Sequence, residues 1–158
     1  MKKVFIIFTF IIVIACHNFI FASYNGKTTE QELYKKVKRI FCERARIWNN
    51  YLIGQYTSLA QLEEELETVV TNPLFRADME MFEQMLSVPT SYEDISGVSV
   101  QDVHVIKNNF RGAVLEASIL WEIEGYENNY KEEIEYIVEM KKDGENWLLS
   151  DYKINNRQ

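Results

Sequence analysis

Arg111-Gly112-Ala113-Val114-Leu115-Glu116-Ala117-Ser118-Ile119-Leu120-Trp121-Glu122-Ile123-Glu124 sets the fold of this chain. Ala113, Leu115, Ala117, Ile119, Trp121 and Ile123 occupy every second position without a slip. Successive side chains of a strand point to opposite faces, so the alternation predicts a strand with one apolar face. The step of two continues downstream. Gly125 to Asn129 reads as a turn, and Tyr130 to Met140 as a strand with Ile134, Tyr136, Val138 and Met140 on one face. Asp143-Gly144 is a tight hairpin signal, and Trp147 to Ile154 closes the sheet. Upstream, Val98 and Val100 have one parity and Val103 and Val105 the other. A bulge near Gln101-Asp102 would reconcile them, because one extra residue returns the chain to the same face.

Before Gly97 the period is helical. Thr29-Glu30-Gln31-Glu32 has the form of a capping box, in which the first and last residues satisfy each other's backbone N–H groups. Leu33, Val37, Ile40, Phe41, Ala45, Trp48 and Leu52 then recur at helical spacing, and Gly54 follows. This predicts a long helix over 29–52. Ser58-Leu59-Ala60-Gln61 opens a second helix, striped by Leu59, Leu62, Leu66 and Val69. Asn72-Pro73 opens a third, striped by Phe75, Met79, Phe82 and Leu86, and Val88 to Ser91 breaks it. Helices first and strands afterwards predict an α+β domain, with three N-terminal helices packed on one face of a curved antiparallel sheet of about four strands.

The 158 residues suffice for a leader and one domain; residues 1–22 read as the leader, 23–28 as a linker and 29–158 as the domain. An apolar fraction of 47% supports a packed core rather than a disordered chain. The formal net charge of −7 argues against nucleic acid as a partner, since phosphates repel an acidic domain. Lys2 and Lys3 precede an apolar run from Val4 to Ala15 broken only by Thr9, which is the grammar of an export signal. Three endings fit that leader. Val13-Ile14-Ala15-Cys16 resembles the bacterial lipobox, whose cysteine is acylated, so Cys16 is the lipidation candidate. Ordinary cleavage after Ala22 is the second, with Ile20 a poor match. An uncleaved anchor over Val4 to Ala22 is the third, at the cost of His17 and Asn18 within the span. All three place the domain outside the cytoplasm, membrane-attached or secreted. Cys42 lies among core-facing residues of the long helix and reads as a buried thiol.

The last hairpin, Lys141-Lys142-Asp143-Gly144-Glu145-Asn146-Trp147-Leu148-Leu149-Ser150-Asp151-Tyr152, resembles the ending of small exported members of the nuclear transport factor two-like, or cystatin-like, superfamily. The pattern is charged, Asp-Gly, two residues, Trp, two aliphatics, one residue, Asp-Tyr. The resemblance runs from about Thr29 to Ile154 and is similar to exported proteins of Gram-positive bacteria. It implies a cone-like arrangement with a cavity between helices and sheet. Function does not follow, because that fold hosts enzymes, transport adaptors and protein-binding modules.

Ala113 and Ala117 leave room on the inward face, which either bulky helix residues fill or a ligand occupies. Trp48, Tyr51, Phe82, Trp121, Tyr136 and Trp147 are the aromatic candidates to line it. No carboxylate falls on the inward parity of the Arg111–Glu124 strand, which argues against an isomerase-like acid site. Asp102 and His104, two apart on a strand, form a polar pair on the opposite face from Val103 and Val105. Glu122, Glu124, Glu127, Glu132, Glu133, Glu135 and Glu139 read as a solvated outer face that discourages edge pairing. The sequence shows no metal-ligand spacing, phosphate loop or nucleophile elbow, and no cofactor is expected. The first expectation is therefore a non-catalytic, membrane-tethered binding or assembly module for an envelope protein, peptide or wall component, with a homodimer through the sheet as a further use of that surface. The alternative is a small-ligand carrier or enzyme with an apolar pocket between helices and sheet.

Overall fold

The computed structural model describes residues 28–87, 92–125 and 128–156. The leader, including Cys16, lies outside them. Three helices come first: α1 (Glu30–Leu52), α2 (Leu59–Leu66) and α3 (Leu74–Ser87). Four strands follow: β1 (Asp94–Asn108), β2 (Gly112–Glu124), β3 (Asn129–Asp143) and β4 (Asn146–Ile154). They form one antiparallel sheet in chain order, curved and unclosed.

Local chemistry sets the boundaries. The Thr29 hydroxyl accepts from the Glu32 N–H at 3.2 Å, and Glu32 Oε2 accepts from the Thr29 N–H at 2.9 Å, completing the capping box. At the second cap Ser58 Oγ accepts from the Gln61 N–H, but Gln61 Oε1 reaches back to the Thr57 N–H instead. The third helix starts at Leu74, one residue beyond Pro73. β1 starts at Asp94, before the valine-rich run: Asp94 and Ile95 already pair with Glu124 and Ile123 of β2, and Asn49 of α1 covers the outer edge at Ile95. Its side-chain amide donates to the Ile95 carbonyl at 2.7 Å and accepts from the Ile95 N–H at 3.0 Å. The register between β1 and β2 shifts between Val100 and Asp102, where the valine parity changes.

Ala113, Leu115, Ala117 and Ile119 of β2 share one core with Tyr136, Val138 and Met140 of β3. Leu33, Val37, Ile40, Phe41 and Ile47 of α1, Leu62 and Leu66 of α2, and Phe82 and Met85 of α3 complete it. Each of the large aliphatic and aromatic side chains, fully buried, contributes roughly 1.5–3 kcal/mol. The stripe that the apolar pattern predicts on α3 holds in part: Phe82 is buried and Phe75 and Met79 pack against the core at its margin. Leu74, Asp78, Phe82 and Met85 face the core, whereas Leu86 is exposed.

Candidate functional site

A cavity of about 230 Å³ lies between α1, α3 and the sheet. Trp48, Phe82, Trp121 and Ile95 supply apolar wall, and Arg44, Asp78 and Tyr152 supply the polar part. The three polar residues come from α1, α3 and β4. Arg44 Nε donates to Asp78 Oδ2 at 2.9 Å and Nη2 donates to Oδ1 at 2.5 Å. Nη1 donates to the Tyr152 hydroxyl at 2.9 Å. The Arg44 side chain keeps 18% of its exposure and Asp78 keeps 6%. Burial alone would pull the Arg44 guanidinium down, but the hydrogen bond to Asp78 and the neighbouring Tyr152 leave it held above its ordinary value.

An aromatic cluster backs this centre. Phe41 meets Tyr152 edge-on at 5.7 Å between centroids, and Tyr136 meets Tyr152 at 5.3 Å. Burial raises the Tyr136 phenol; the nearby Trp121 N–H opposes that rise. Trp121 Nε1 itself is buried without a partner in hydrogen-bond geometry, so its influence on Tyr136 is that of a nearby dipole.

Trp48, Phe82 and Trp121, three of the six aromatic candidates, line this cavity. Tyr51 stands behind Phe82, its ring 4.7 Å away and its hydroxyl donating to the Phe82 carbonyl. Tyr136 sits in the aromatic cluster, and Trp147 is buried in the main core. Asp102 and His104 are exposed on the other face of the sheet, beside Glu116, Ser118 and Glu135 in a depression of about 120 Å³. Asp102 Oδ1 accepts from the Val103 N–H at 2.9 Å, so this oxygen serves the backbone. Cys42 is half-buried, its thiol directed at the Val98 carbonyl. Arg111 is exposed and lies over the Phe110 ring.

The acid of the cavity comes from a helix, not from the sheet, and sequence reasoning missed it together with Arg44. A signal was present. Arg44 is in phase with Val37, Phe41 and Trp48, and Asp78 with Leu74 and Phe82. One positive and one negative residue thus interrupt two apolar stripes. Both Asp78 oxygens accept from Arg44, so the carboxylate is already engaged by the guanidinium; this is ill suited to a general base. Among the described residues no group of acids, histidines and cysteines could hold a metal ion. No helix among them is long and apolar enough to cross a membrane. No family model matches the chain, and no curated protein matches it.

Proposed function

We propose that this chain is a non-catalytic binding domain, exported and held at the outer side of the cytoplasmic membrane, whose ligand enters the cavity between α1, α3 and the sheet. The observation that carries the reading is a space of about 230 Å³, walled by aromatic and aliphatic side chains, with a neutralised charge pair on one side. The helix and strand order supports the likeness to the nuclear transport factor two-like, cone-shaped fold, in which such a cavity is expected. Its volume lies between the roughly 150 Å³ that holds a single benzene ring and the roughly 300 Å³ at which drug-sized pockets begin. Arg44 and Asp78 cancel in charge, so a neutral, largely apolar ligand is favoured over an anion, which Asp78 would repel. The Tyr152 hydroxyl accepts from Arg44 and keeps its own proton to donate to a ligand oxygen.

Trp48 and Trp121 report on occupancy, since both line the space. Titration with small aromatic ketones should change tryptophan emission in the native chain. Ala45→Trp, which fills the cavity from α1, should abolish that change while leaving the fold intact. Native mass spectrometry of the gently purified chain should show a bound small molecule that Ala45→Trp lacks. The same ligand-induced change in emission and the same bound mass in both proteins would sink the cavity reading. The attachment is tested separately: if the chain is held by acylated Cys16, Cys16→Ala removes the acylation and should release it into the medium, and unaltered retention would leave the uncleaved anchor as the means of attachment.

A further inference from the structure

We propose that the tip of the β1–β2 hairpin rests on the membrane to which the chain is attached, with Phe110 entering the interface and Lys107 and Arg111 meeting lipid phosphates. The inference rests on the attachment proposed above in its uncleaved-anchor form, with the anchor ending at Ala22; from an acylated Cys16 the link to Thr28 would be twelve steps, roughly 40 Å, and would not orient the domain. Its structural basis is the position of Thr28, the first described residue. The Asn108 side-chain amide donates to the Thr28 carbonyl at 2.6 Å, which ties the entry of the domain to this hairpin.

The leash is short. The leader's last apolar residues are Phe19-Ile20-Phe21-Ala22, and six residue steps separate Ala22 from Thr28. Fully extended, they span at most roughly 20 Å. A domain of this size is wider than that, with a radius of gyration of about 14 Å. The end of the domain that carries Thr28 must therefore face the bilayer, and the hairpin beside Thr28 faces it too.

The hairpin is built for that position. Asn109 Oδ1 accepts from the N–H groups of Arg111 and Gly112, and the Asn109 N–H donates to the Gly112 carbonyl. This tight closure projects Phe110 and Arg111 outward. Phe110 is 69% exposed and Ile106 47% exposed, on a hairpin that has no core to give them. The Arg111 guanidinium carbon lies 5.1 Å from the Phe110 ring centroid. A cation stacked on an exposed ring matches a headgroup boundary, where the ring meets acyl chain and the charge meets phosphate. The Lys142 N–H donates to the Arg111 carbonyl, and Lys107, Arg111 and Lys141 share one depression with Glu139. Cations thus gather at this end of a chain whose net charge is −7, where lipid phosphates attract them.

The test uses the full chain, made with its own leader and incorporated into vesicles of equal parts phosphatidylcholine and phosphatidylglycerol. Phe110→Trp adds a fourth tryptophan at an exposed position, so folding is not at stake. With brominated phosphatidylcholine the added emission should be blue-shifted and mostly lost, while the emission of the wild-type chain stays unchanged. A chain that floats with the vesicles but shows unquenched added emission overturns the hairpin contact and leaves the attachment standing. A chain that fails to float overturns the attachment, and the hairpin contact with it.

Discussion

Arg44 in the middle of α1 and Asp78 on α3 are locked by a two-pronged hydrogen bond, with N–O distances of 2.9 and 2.5 Å. The guanidinium fork matches a carboxylate in shape, which fixes direction as well as distance. Each partner stands in line with its own helix's apolar stripe, so neither could be there without the other. The pair links the two helices and makes one wall of the cavity polar without giving it net charge.

Removing one partner should cost far more than removing both. Asp78→Ala strands a buried cation, and the expected loss is about 3–5 kcal/mol. Arg44→Met with Asp78→Leu replaces the pair by apolar volume and should recover most of that loss. Urea unfolding of the three proteins measures both effects. Equal losses in the single and double variants would mean that the pair's charge is of no consequence here.

Acid should loosen the helical side before the sheet. Hydrogen bonds from the Thr29 backbone N–H and then its hydroxyl hold Glu32 below its ordinary value of 4.5. The Tyr56 hydroxyl, then Arg46, holds Glu65 below the same value. A depressed folded value gives stability that is fully present above 4.5 and disappears as pH falls through the lowered value. Glu32→Gln with Glu65→Gln should therefore be less stable than wild type at neutral pH, and the gap should close on acidification. A gap that stays constant with pH would show that these carboxylates gain nothing from being charged.

The sheet was legible because its signal is local. The alternation from Ala113 to Ile123, the parity change between Val100 and Val103, and Asp143-Gly144 all act through neighbours in the chain. Gly144 adopts a φ of 58°, as a tight hairpin needs. α1 was legible for the same reason, since Thr29 and Glu32 are three residues apart. The stripe of α3 was legible only in part: Phe82 is buried and Phe75 and Met79 pack on the core, but Leu86 is exposed. Phe75, Met79, Phe82 and Leu86 make an unbroken apolar series, whereas the series that faces the core contains Asp78. Apolar periodicity charges the full penalty for burying that acid and cannot see Arg44, 34 residues away, cancelling it. The cavity's polar centre is therefore a purely tertiary object.

Gly112→Ala should destabilise the protein by about 1–3 kcal/mol through crowding. A Cβ on Gly112 would collide with the backbone carbonyl oxygen of Met140 on β3, which cannot swing aside as a side-chain end could. The damage should appear as faster hydrogen exchange where Gly112 pairs with Lys141. Gly54→Ala is the useful contrast. Its positive φ of 69° is strained for alanine, yet nothing lies near its Cβ, so β2–β3 protection should not change. Matching exchange patterns in the two variants would refute the crowding argument.

Both open edges of the sheet are closed by the same device. β1 gives its Val98 and Val100 carbonyls to Cys42 and Tyr34 of α1, and Leu149 of β4 exchanges hydrogen bonds with Val69 and Thr71. Each edge strand is also irregular: β1 shifts register at three places, one of them between Val100 and Asp102, and β4 shifts opposite Glu139 and Met140. Immediately after the named shift in each strand an aspartate accepts the next residue's N–H at 2.9 Å, Asp102 from Val103 and Asp151 from Tyr152. That removes a donor from a ready template for a foreign strand and adds a charge which repels a second copy. Asp102→Ala with Asp151→Ala should leave monomer stability within about 1 kcal/mol but raise self-association as concentration rises, read by sedimentation velocity. The asparagine pair keeps an acceptor and removes the charge. If it stays monomeric, the hydrogen bond protects the edges; if it associates like the alanine pair, the charge does. An alanine pair that stays monomeric at high concentration would show that the edges are guarded by something else.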